Sequence, residues 1–410
     1  MTSEKPYLTR AIEPVLRKRL GDLPVVVVIG ARQTGKSTLA QRIPGGDRLY
    51  VTLDDVDARG QAQRSPEELL RRAARMTLDE VQRTPDLLLS IKREVDRERS
   101  PGRFLLTGSA NLHLMRQVSE SLAGRAAYLT LGPLTPAEQA GLGRSGRWSL
   151  FFEESPTRWR EAVSSLPIDV REPWETIAIR GGYPIPAYHM TDPEARRAWF
   201  DGYVQTYLER DLRDLAAVDN LADFQRLMRA ASLRVGNLLN QAELARDVGL
   251  PPSTAQRYLG LMETSVQLVR LGAFAVNRTK RLTKSPKLFW TDTGLALHLA
   301  GEGRPRGEHL ENLVLNDLLA WREGRPHHPQ ILYWRTAKGA EVDFVVEWGD
   351  RVLPIEVKSG KHVRINDSRH LRAFLDEYPD LAPAGVVLYD GEDTFWAGDN
   401  ILAAPWRHVL

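Results

Sequence analysis

Two short apolar runs near the amino terminus give the first indication of the fold. Leu23 to Ile29 is rich in valine, starts beside Pro24 and is followed by Gly30. A continuous apolar run of this length is typical of a strand that is buried on both faces. A second run, Phe104 to Ser109, has the same character but ends in hydroxyl side chains. The two runs predict a parallel sheet.

The middle of the chain changes from an aperiodic to a helical pattern. Residues 141–175 mix glycine, proline, serine and exposed tryptophans without periodicity, which predicts a linker or a family-variable insertion. From Pro193 to Asp219 the apolar spacing predicts a helix. We interpret its aromatic stripe as the core of a helical lid rather than as a platform for stacking bases. The stripe comprises Trp199, Tyr203, Tyr207, Leu208, Leu212 and Leu215.

The sequence LLNQAELARDVGLPPSTAQRYLGLM has the order of elements of a helix-turn-helix. Gln241 to Asp247 predicts a short helix, and Gly249 supplies the turn. Ser253 is the expected amino-terminal cap of a second helix, Thr254 to Thr264. The pattern therefore predicts two helices in the geometry of a DNA-binding module.

Nearer the carboxy terminus, apolar and polar residues alternate on both sides of Gly349 and Asp350, which predicts a β-hairpin. A type II′ turn at these two residues fixes the register. The predicted pairs are Val342 with Val357, Phe344 with Ile355, Asp343 with Glu356, and Glu341 with Lys358. Asp343 opposite Glu356 is destabilising unless a cation lies between them. Lys358 shares their face.

Composition limits the location and the chemistry of the protein. Its 410 residues carry 56 Lys and Arg against 53 Asp and Glu, so basic residues matter only where they cluster. There is no cysteine, which excludes disulfides and thiolate metal sites and is typical of a reducing compartment. The sequence has neither a signal-peptide pattern nor an apolar stretch of about 18 residues. We therefore expect a cytoplasmic protein without membrane spans.

The first predicted strand leads directly into the sequence GARQTGKS. Glycines let consecutive backbone amides converge on phosphates, Lys36 reaches the β and γ oxygens, and the Ser37 hydroxyl is a ligand for Mg²⁺. The pattern predicts an ATP-binding phosphate loop, with a glycine-rich turn as the structural alternative. The residues predicted to bind MgATP are Gly30, Ala31, Arg32, Gln33, Thr34, Gly35, Lys36, Ser37 and Thr38.

Acidic and hydroxyl side chains follow the later strands of this block. The sequence MTLDE predicts a strand that places Asp79 on Mg²⁺ and Glu80 beside the attacking water. The polar residues Arg75 and Thr77 interrupt this otherwise apolar strand. An ordinary exposed acidic pair is therefore the alternative. Thr107 and Ser109 end the FLLTGS strand, where a polar side chain can orient water against the γ-phosphate. We take Ser109 as the catalytic candidate.

The helix-turn-helix and the segment after it have the character of a nucleic-acid interface. The second helix of such a unit contacts DNA. Its residues expected to face outward are Thr254, Gln256, Arg257 and Tyr258. Val266 to Ala273 and Lys287 to Thr291 then predict two strands that flank a basic wing, NRTKRLTKSP. The cations of this region are Arg278, Lys280, Arg281, Lys284 and Lys287. A solvated hairpin or a protein-docking module is the alternative.

The carboxy-terminal hairpin presents Asp on one strand and Glu-x-Lys on the next. Carboxylates can hold Mg²⁺ and a lysine can orient water, as a metal-dependent phosphodiesterase requires. The set Asp343, Glu356 and Lys358 resembles the PD-(D/E)xK nuclease family. The resemblance implies a further acidic ligand from the preceding helix, where Glu311 has the matching place. The alternatives are a surface salt bridge between Glu341 and Lys358 and an inactive domain that binds DNA or supports assembly.

Several segments resemble the AAA-type ATPase domain of a large prokaryotic family whose members carry a carboxy-terminal domain of unknown function. They are DEVQRTPDLL, FLLTGSANLHLM, SLAGRAAYLTLGPLTPAE, RGGYPIPAY, YVQTYLERDLRDL and SPKLFWTDTGLALHLAG. The resemblance covers nearly the whole chain. It implies oligomeric rings or partial rings in which Arg125 reaches the γ-phosphate of a neighbouring subunit. A surface arginine in a loop is the alternative.

The expected fold class is α/β, in several blocks because the chain is longer than one core usually serves. The predicted blocks are a P-loop AAA-type ATPase domain at 1–140, a linker and helical lid at 141–225, a winged helix-turn-helix at 226–300, and a PD-(D/E)xK nuclease-like domain at 301–410. We expect an oligomeric ATPase that uses ATP and Mg²⁺ to remodel or move on DNA, including branched DNA such as Holliday junctions in repair or recombination. The alternatives are a nucleotide-controlled switch that docks a protein partner and an ATP-dependent nuclease.

Overall fold

The structure is a computed structural model that describes residues 6–43, 48–109, 122–207, 218 and 220–410. No helix within these ranges is long and apolar enough to cross a membrane. The helices are, in chain order, Glu13–Asp22, Lys36–Arg42, Val56–Arg64, Pro66–Leu70, Leu87–Arg97, Pro136–Gln139, Leu150–Glu153, Trp159–Ser164, Trp174–Arg180, Pro193–Thr206, Leu221–Ser232, Gln241–Asp247, Pro252–Thr264, Arg278–Thr283, Thr293–Ala300, Gly307–Glu323, Arg369–Glu377 and Trp406–Val409. Shorter 3₁₀ or π turns are Val81–Arg83, Pro156–Arg158, Ile185–His189 and Ile365–Ser368.

The amino-terminal sheet is parallel, as predicted. Its strands are β1 Val25–Gly30, β2 Arg48–Thr52, β3 Arg75–Asp79, β4 Phe104–Ser109 and β5 Ala126–Thr130, in the order β2-β3-β4-β1-β5. In β1, Val25 and Val27 pack into one apolar cluster and Val26 and Val28 into another. Because both faces of the strand are covered, its sequence is apolar throughout.

Residues 141–175 do not form a linker with exposed tryptophans. Trp148, Trp159 and Trp174 are at most 3% exposed. Their rings belong to one apolar cluster that continues through the middle helices into the carboxy-terminal sheet. Trp148 also donates to Asp317, 169 residues later in the chain. The expectation was wrong because the partners that cover these rings are distant in sequence.

The helix predicted to begin at Pro193 does so and extends to Thr206 as Pro193–Thr206. Asp192 caps it by accepting from two backbone amides of the first turn. Trp199 stacks on Tyr203 with ring centroids 5.3 Å apart, and Tyr203 and Tyr207 are buried. The aromatic stripe is therefore core, as predicted. Outside the described residues lie Leu208, Leu212 and Leu215.

The helix-turn-helix has the predicted order, and its first helix has the predicted bounds. The second helix is Pro252–Thr264, so Ser253 is inside it and is not its cap. A proline, which lacks an amide hydrogen, fits the first helical turn and starts the helix earlier. The two predicted strands are present as β6 Leu268–Leu271 and β7 Lys287–Trp290, and they pair antiparallel. The wing between them contains a short helix, Arg278–Thr283.

A mixed sheet forms the carboxy-terminal block, in the order β12-β13-β11-β10-β9-β8. Its strands are β8 Gln330–Arg335, β9 Glu341–Trp348, β10 Arg351–Lys358, β11 Gly385–Tyr389, β12 Phe395–Gly398 and β13 Ile401–Pro405. In the predicted hairpin, Trp348 pairs with Arg351 and Phe344 with Ile355. Gly349 has φ +62°, as the first central position of a type II′ turn requires. The predicted register is confirmed over these pairs.

Candidate functional site

The predicted phosphate loop lies between β1 and the helix that follows it. Gly30 has no room for a side chain, because a Cβ atom there would lie 2.2 Å from Leu131 O. Gly35 has φ +92°, which glycine adopts without strain. Lys36 is buried, and its Nζ donates to Ala31 O at 2.7 Å. The backbone therefore favours glycine at both positions, and phosphate binding by the individual residues of the loop stays a prediction.

Asp79 ends β3 beside the phosphate loop, and its carboxylate receives three hydroxyl groups. Ser37 Oγ donates to its Oδ1 at 3.1 Å, and the Tyr50 hydroxyl donates to its Oδ2 at 2.7 Å. Thr107 Oγ1 also donates to Oδ1. Ser37 and Asp79 fit a shared Mg²⁺, with Tyr50 and Thr107 orienting the carboxylate. Sequence analysis did not predict the role of Tyr50, which lies on β2, because no local sequence pattern indicates that this strand lies beside Asp79.

Glu80 and Ser109 occupy strand ends next to this carboxylate. Glu80 has a left-handed backbone, with φ +60°. Burial raises the pKa of its carboxyl, while the nearby Lys36 opposes the rise. A carboxylate with a raised pKa is a stronger base. Ser109 ends β4 level with Gly30 at the start of the phosphate loop. The catalytic roles of Glu80 and Ser109 stay predictions.

Arg10 is a buried part of the site that sequence analysis missed. Its Nη1 donates to Thr34 O at 2.8 Å, and its Nη2 donates to Gly132 O at 2.8 Å. Its Nε contacts Glu138 Oε1 at 3.1 Å. One guanidinium therefore fixes the phosphate loop against the segment that leaves the ATPase block. No signal near Arg10 could have predicted this, since its three partners lie 24, 122 and 128 residues away along the chain.

Two segments of the family resemblance meet beside the phosphate loop. Asp292, in TDTG, accepts from Gly182 N at 2.6 Å and Leu295 N at 2.7 Å. Burial raises the pKa of Asp292 to about 6. Gly182 belongs to RGGYPIPAY, whose Pro184 ring lies within 3.7 Å of the place where Gly35 would carry a Cβ atom. The middle block therefore touches the loop that is predicted to hold phosphate.

The residues of the nuclease-like resemblance come together, but a lysine lies among them. Lys287 is only 2% exposed, and its Nζ lies 2.5 Å from Glu341 Oε1, 3.4 Å from Asp343 Oδ1 and 3.8 Å from Glu311 Oε2. Its prediction as part of a basic surface was wrong, because β7 carries it into the interior. Lys358 contacts Glu356 Oε1 at 2.6 Å. The alternative salt bridge between Glu341 and Lys358 is also not formed.

This cluster does not fit a metal ion. Among the described residues, no group of three or more His, Asp or Glu side chains has the arrangement needed to hold one. Burial and the charge of Asp343 raise the pKa of Glu356 to about 8, and the same causes raise the pKa of Glu311. The Lys287 ammonium instead compensates the carboxylates. We therefore derive no metal-dependent cleavage from this site.

Comparison with known proteins gives the family. Residues 22–140 match the model of an AAA domain, residues 171–306 a domain of unknown function (DUF8612) and residues 306–409 another (DUF4143). Two curated relatives are the Uncharacterized protein Rv2008c of Mycobacterium tuberculosis and the Uncharacterized protein Mb2031c of Mycobacterium bovis. Each is 32% identical over 406 residues, which cover 96% of this chain and 83% of the relative. The chain belongs to this AAA-domain family.

Solved structures similar to this AAA-family protein have low sequence identity. The Walker-type ATPase paby2304 of Pyrococcus abyssi is 15% identical, with 72% of this chain and 98% of that chain covered at a TM-score of 0.41. AMPPCP-bound DnaA of Aquifex aeolicus is 14% identical, with 61% and 86% covered at a TM-score of 0.26. The assignment therefore rests on the sequence matches. They establish a P-loop ATPase domain of the AAA type and a separate carboxy-terminal domain, whereas the nuclease-like resemblance and the predicted block boundaries stay predictions.

Arg125 of this AAA-family protein is held within its own chain. Its Nε lies 2.5 Å from Asp96 Oδ1, and its Nη2 lies 2.8 Å from Asp96 Oδ2. This bidentate ion pair raises the pKa of Arg125 and lowers the pKa of Asp96. The pair is partly exposed, so solvent can replace either partner. Its action on a neighbouring subunit stays a prediction.

The outward face of the helix-turn-helix is smaller than predicted. Gln256 and Arg257 are exposed and Thr254 is half-buried, but Tyr258 is only 1% exposed. The prediction for Tyr258 was wrong, because its ring packs 5.0 Å from the ring of Phe224 in the core. Of the four residues predicted to face outward, two are therefore exposed.

The wing keeps three exposed cations, Arg278, Lys280 and Lys284. Arg281 is partly buried, and its Nη1 contacts Glu347 Oε2 at 2.8 Å. Since that carboxylate compensates the charge of Arg281, this residue is a weaker candidate for phosphate contact than the other three. The positive surface of the wing is therefore narrower than the sequence indicates.

Proposed function

We propose that this AAA-family protein hydrolyses MgATP and couples hydrolysis to the binding and remodelling of DNA. The proposed hydrolysis of MgATP is supported mainly by one observation: Ser37, which is next in sequence to Lys36, has its Oγ 3.1 Å from Asp79 Oδ1. In this assignment Lys36 binds the β and γ phosphates, and Ser37 and Asp79 hold Mg²⁺. Glu80 accepts a proton from the attacking water, and Ser109 orients that water.

Hydrolysis in this proposal needs a second subunit that contributes Arg125. The arginine would leave Asp96 of its own chain and neutralise charge on the neighbour's γ-phosphate. Solvent-exposed ion pairs contribute little to stability, so the exchange costs little. A ring or partial ring would place every Arg125 next to a phosphate loop except at an open end.

The DNA-binding half of the proposal rests on exposed cations at two places in the winged helix. Arg257 lies on the second helix, and Arg278, Lys280 and Lys284 lie on the wing. The net charge of the chain is only +3, so binding must depend on these local clusters. A preference for branched DNA rests on the nuclease-like resemblance alone.

Fluorescence anisotropy tests DNA binding directly. The protein is titrated into labelled linear duplex and four-way junction DNA of equal length, with Mg²⁺ and a non-hydrolysable ATP analogue, at several salt concentrations. Lys280→Glu/Lys284→Glu should weaken binding and lower the slope of log K against log salt by about 2, because two phosphate contacts are lost. Lys18→Glu, which changes an exposed lysine of the ATPase block, is the matched control.

The two halves of the proposal can fail separately. Lys36→Ala should abolish ATP hydrolysis in every case, and continued hydrolysis would refute the assignment of the phosphate loop. If the wing variant and the wild type bind DNA equally, the wing is not the interface. If the wild type favours junctions over duplex and DNA stimulates its ATPase rate, remodelling of branched DNA is supported.

A nucleotide-controlled switch that docks a protein is the second candidate function. The wing carries two exposed apolar residues, Val276 at 60% and Leu282 at 86% exposure, among its cations. Exposed aliphatic side chains suit a protein interface better than a phosphate backbone. DNA binding that is weak and insensitive to the wing variant, together with loss of a co-purifying partner in Leu282→Ser, would favour this function.

A further inference from the structure

The position of Arg10 is fixed by contacts on its backbone and on its side chain. Its backbone N donates to Glu13 Oε1 at 2.9 Å, and the next amide, Ala11 N, donates to Glu138 Oε1 at 2.6 Å. The same Glu138 oxygen accepts from Arg10 Nε. Arg10 and Glu138 are only 4% and 2% exposed. Because the pair is buried and the backbone beside it is held, the guanidinium has one preferred position.

The guanidinium contacts a single peptide of the phosphate loop. Arg10 Nη1 donates to Thr34 O at 2.8 Å, and Thr34 is fully buried. The peptide that joins Thr34 to Gly35 is trans, so its N–H points away from the guanidinium. This N–H directly precedes Lys36, in the part of a phosphate loop whose backbone amides face the phosphates. A hydrogen bond on the carbonyl side therefore sets the direction of an amide on the other side.

The remaining donors of Arg10 hold this peptide against the sheet that carries the loop. Nη2 donates to Gly132 O at 2.8 Å, in the segment that follows β5. Strand β5 pairs with β1, and β1 leads directly into the phosphate loop. The start of the loop and the anchor of the guanidinium therefore belong to neighbouring strands of one sheet. The bond to Thr34 O fixes the loop relative to that sheet.

We propose that Arg10 is a positioning residue for ATP hydrolysis. By holding the Thr34 carbonyl it keeps the Gly35 amide turned toward the phosphates of ATP. Arg10 does not itself bind the nucleotide, because Glu138 compensates its charge and all three of its nitrogens bond to protein acceptors. The inference rests on the proposed hydrolysis of MgATP. An oriented amide binds phosphate in the ground state and in the transition state alike, so its loss raises KM more than it lowers kcat.

Arg10→Lys tests this role because it keeps a positive charge beside Glu138. One ammonium cannot replace a planar fork that spans Glu138, Thr34 O and Gly132 O. We expect KM for ATP, and Kd for a non-hydrolysable ATP analogue in calorimetric titration, to rise about 10-fold. This factor corresponds to the weakening of one hydrogen bond to a charged group. The value of kcat should stay within about twofold of the wild type.

Arg103→Lys is the matched control in the same block. Arg103 is 8% exposed, and its Nη2 lies 2.7 Å from Glu94 Oε2, so it is also a buried arginine in an ion pair. It directly precedes β4, whose first residue, Phe104, pairs with Val25 at the end of β1 that lies away from the loop. Arg103→Lys should lower the melting temperature and leave KM and Kd unchanged.

A purely structural role of Arg10 gives a different result. Arg10→Lys would then lower the melting temperature and the amount of active protein, while KM and Kd kept their wild-type values, and the proposal would be overturned. An equal rise in KM for Arg103→Lys would overturn it as well. If Arg10→Lys does not fold, Arg10→Gln/Glu138→Gln, which removes both buried charges, takes its place with the same expected rise. Unfolding of both variants would show a structural role only.

Failure of this inference is distinguishable from failure of the proposed function. If the wild type binds the analogue but does not hydrolyse ATP, the proposed hydrolysis is wrong, and an unchanged Kd in Arg10→Lys is then the result that refutes the positioning of the loop. If the wild type hydrolyses ATP and Arg10→Lys keeps its KM, only the role of Arg10 is wrong.

Discussion

Replacing Asp317 with asparagine removes a buried charge but keeps the acceptor that holds Trp148. Asp317 is fully buried, and its Oδ1 accepts from Trp148 Nε1 at 2.6 Å and from Gly146 N at 2.7 Å. Burial raises the pKa of its carboxyl from 3.8 to about 7. An asparagine oxygen can accept both hydrogen bonds without titrating. Asp317 Oδ2 has no hydrogen-bond partner among the described residues, so an amide nitrogen in its place adds a cost that does not change with pH. The pH dependence of stability therefore isolates the effect of the charge.

The direction of the effect follows from proton binding. Between about pH 4 and pH 7 the folded protein keeps a proton on Asp317 that the unfolded chain releases, so stability falls as pH rises through this window. One pKa unit corresponds to about 1.4 kcal/mol, so a rise of about three units costs about 4 kcal/mol by pH 8. The asparagine variant lacks this cost. Between pH 4 and pH 8, the free energy of unfolding of the variant should therefore rise by about 4 kcal/mol relative to that of the wild type.

Differential scanning calorimetry over this pH range measures the gain. In domains of 150–250 residues 1 kcal/mol corresponds to about 2–4 °C, so the gap in melting temperature should widen by about 8–16 °C. Asp376→Asn removes an exposed carboxylate from the carboxy-terminal block and should follow the wild type. Parallel curves for Asp317→Asn and the wild type would show that Asp317 is ionised in the fold, and the burial argument would be wrong.

Three further substitutions test the nucleotide site. Glu80→Gln should lower the steady-state ATPase rate about 10²–10⁴-fold with ATP affinity kept, because an amide cannot take up the proton; an unchanged rate would exclude Glu80 as the base. Arg125→Ala should lower the rate about 10³-fold or more, and mixing it with Lys36→Ala subunits should restore activity only if Arg125 acts in trans. Gly30→Ala should abolish ATP binding in calorimetric titration, because its Cβ would meet Leu131 O at 2.2 Å.

Features that depend on short-range patterns could be predicted from the sequence. The apolar run of β1 predicted a strand buried on both faces, and the alternation around Gly349 predicted the hairpin register as far as Phe344 with Ile355. Both follow from the two-residue period of a strand and from turn geometry. The phosphate loop is also local, since its glycines, Lys36 and Ser37 are neighbours in sequence.

Residues whose surroundings come from distant segments could not be predicted. Arg10 contacts the phosphate loop and also Glu138, which lies 128 residues away in sequence. The Tyr50 hydroxyl on β2 donates a hydrogen bond to Asp79 on the neighbouring strand β3. Tyr258 has the sequence position of an outward residue, yet the core covers it. No pattern within one element indicates which other element will pack against it.

The sequence by itself determined the buried strand β1, the register of the β9–β10 hairpin over Trp348–Arg351 and Phe344–Ile355, the glycine-rich loop that carries Lys36 and Ser37, and the place of the protein in an AAA-domain family. Only the tertiary structure decided how charges are compensated. Lys287 has the sequence position of a surface cation beside Lys284, but the pairing of β7 carries it into a cluster of carboxylates. The physical reason is that buried charges are stable only next to partners, and long-range packing selects those partners.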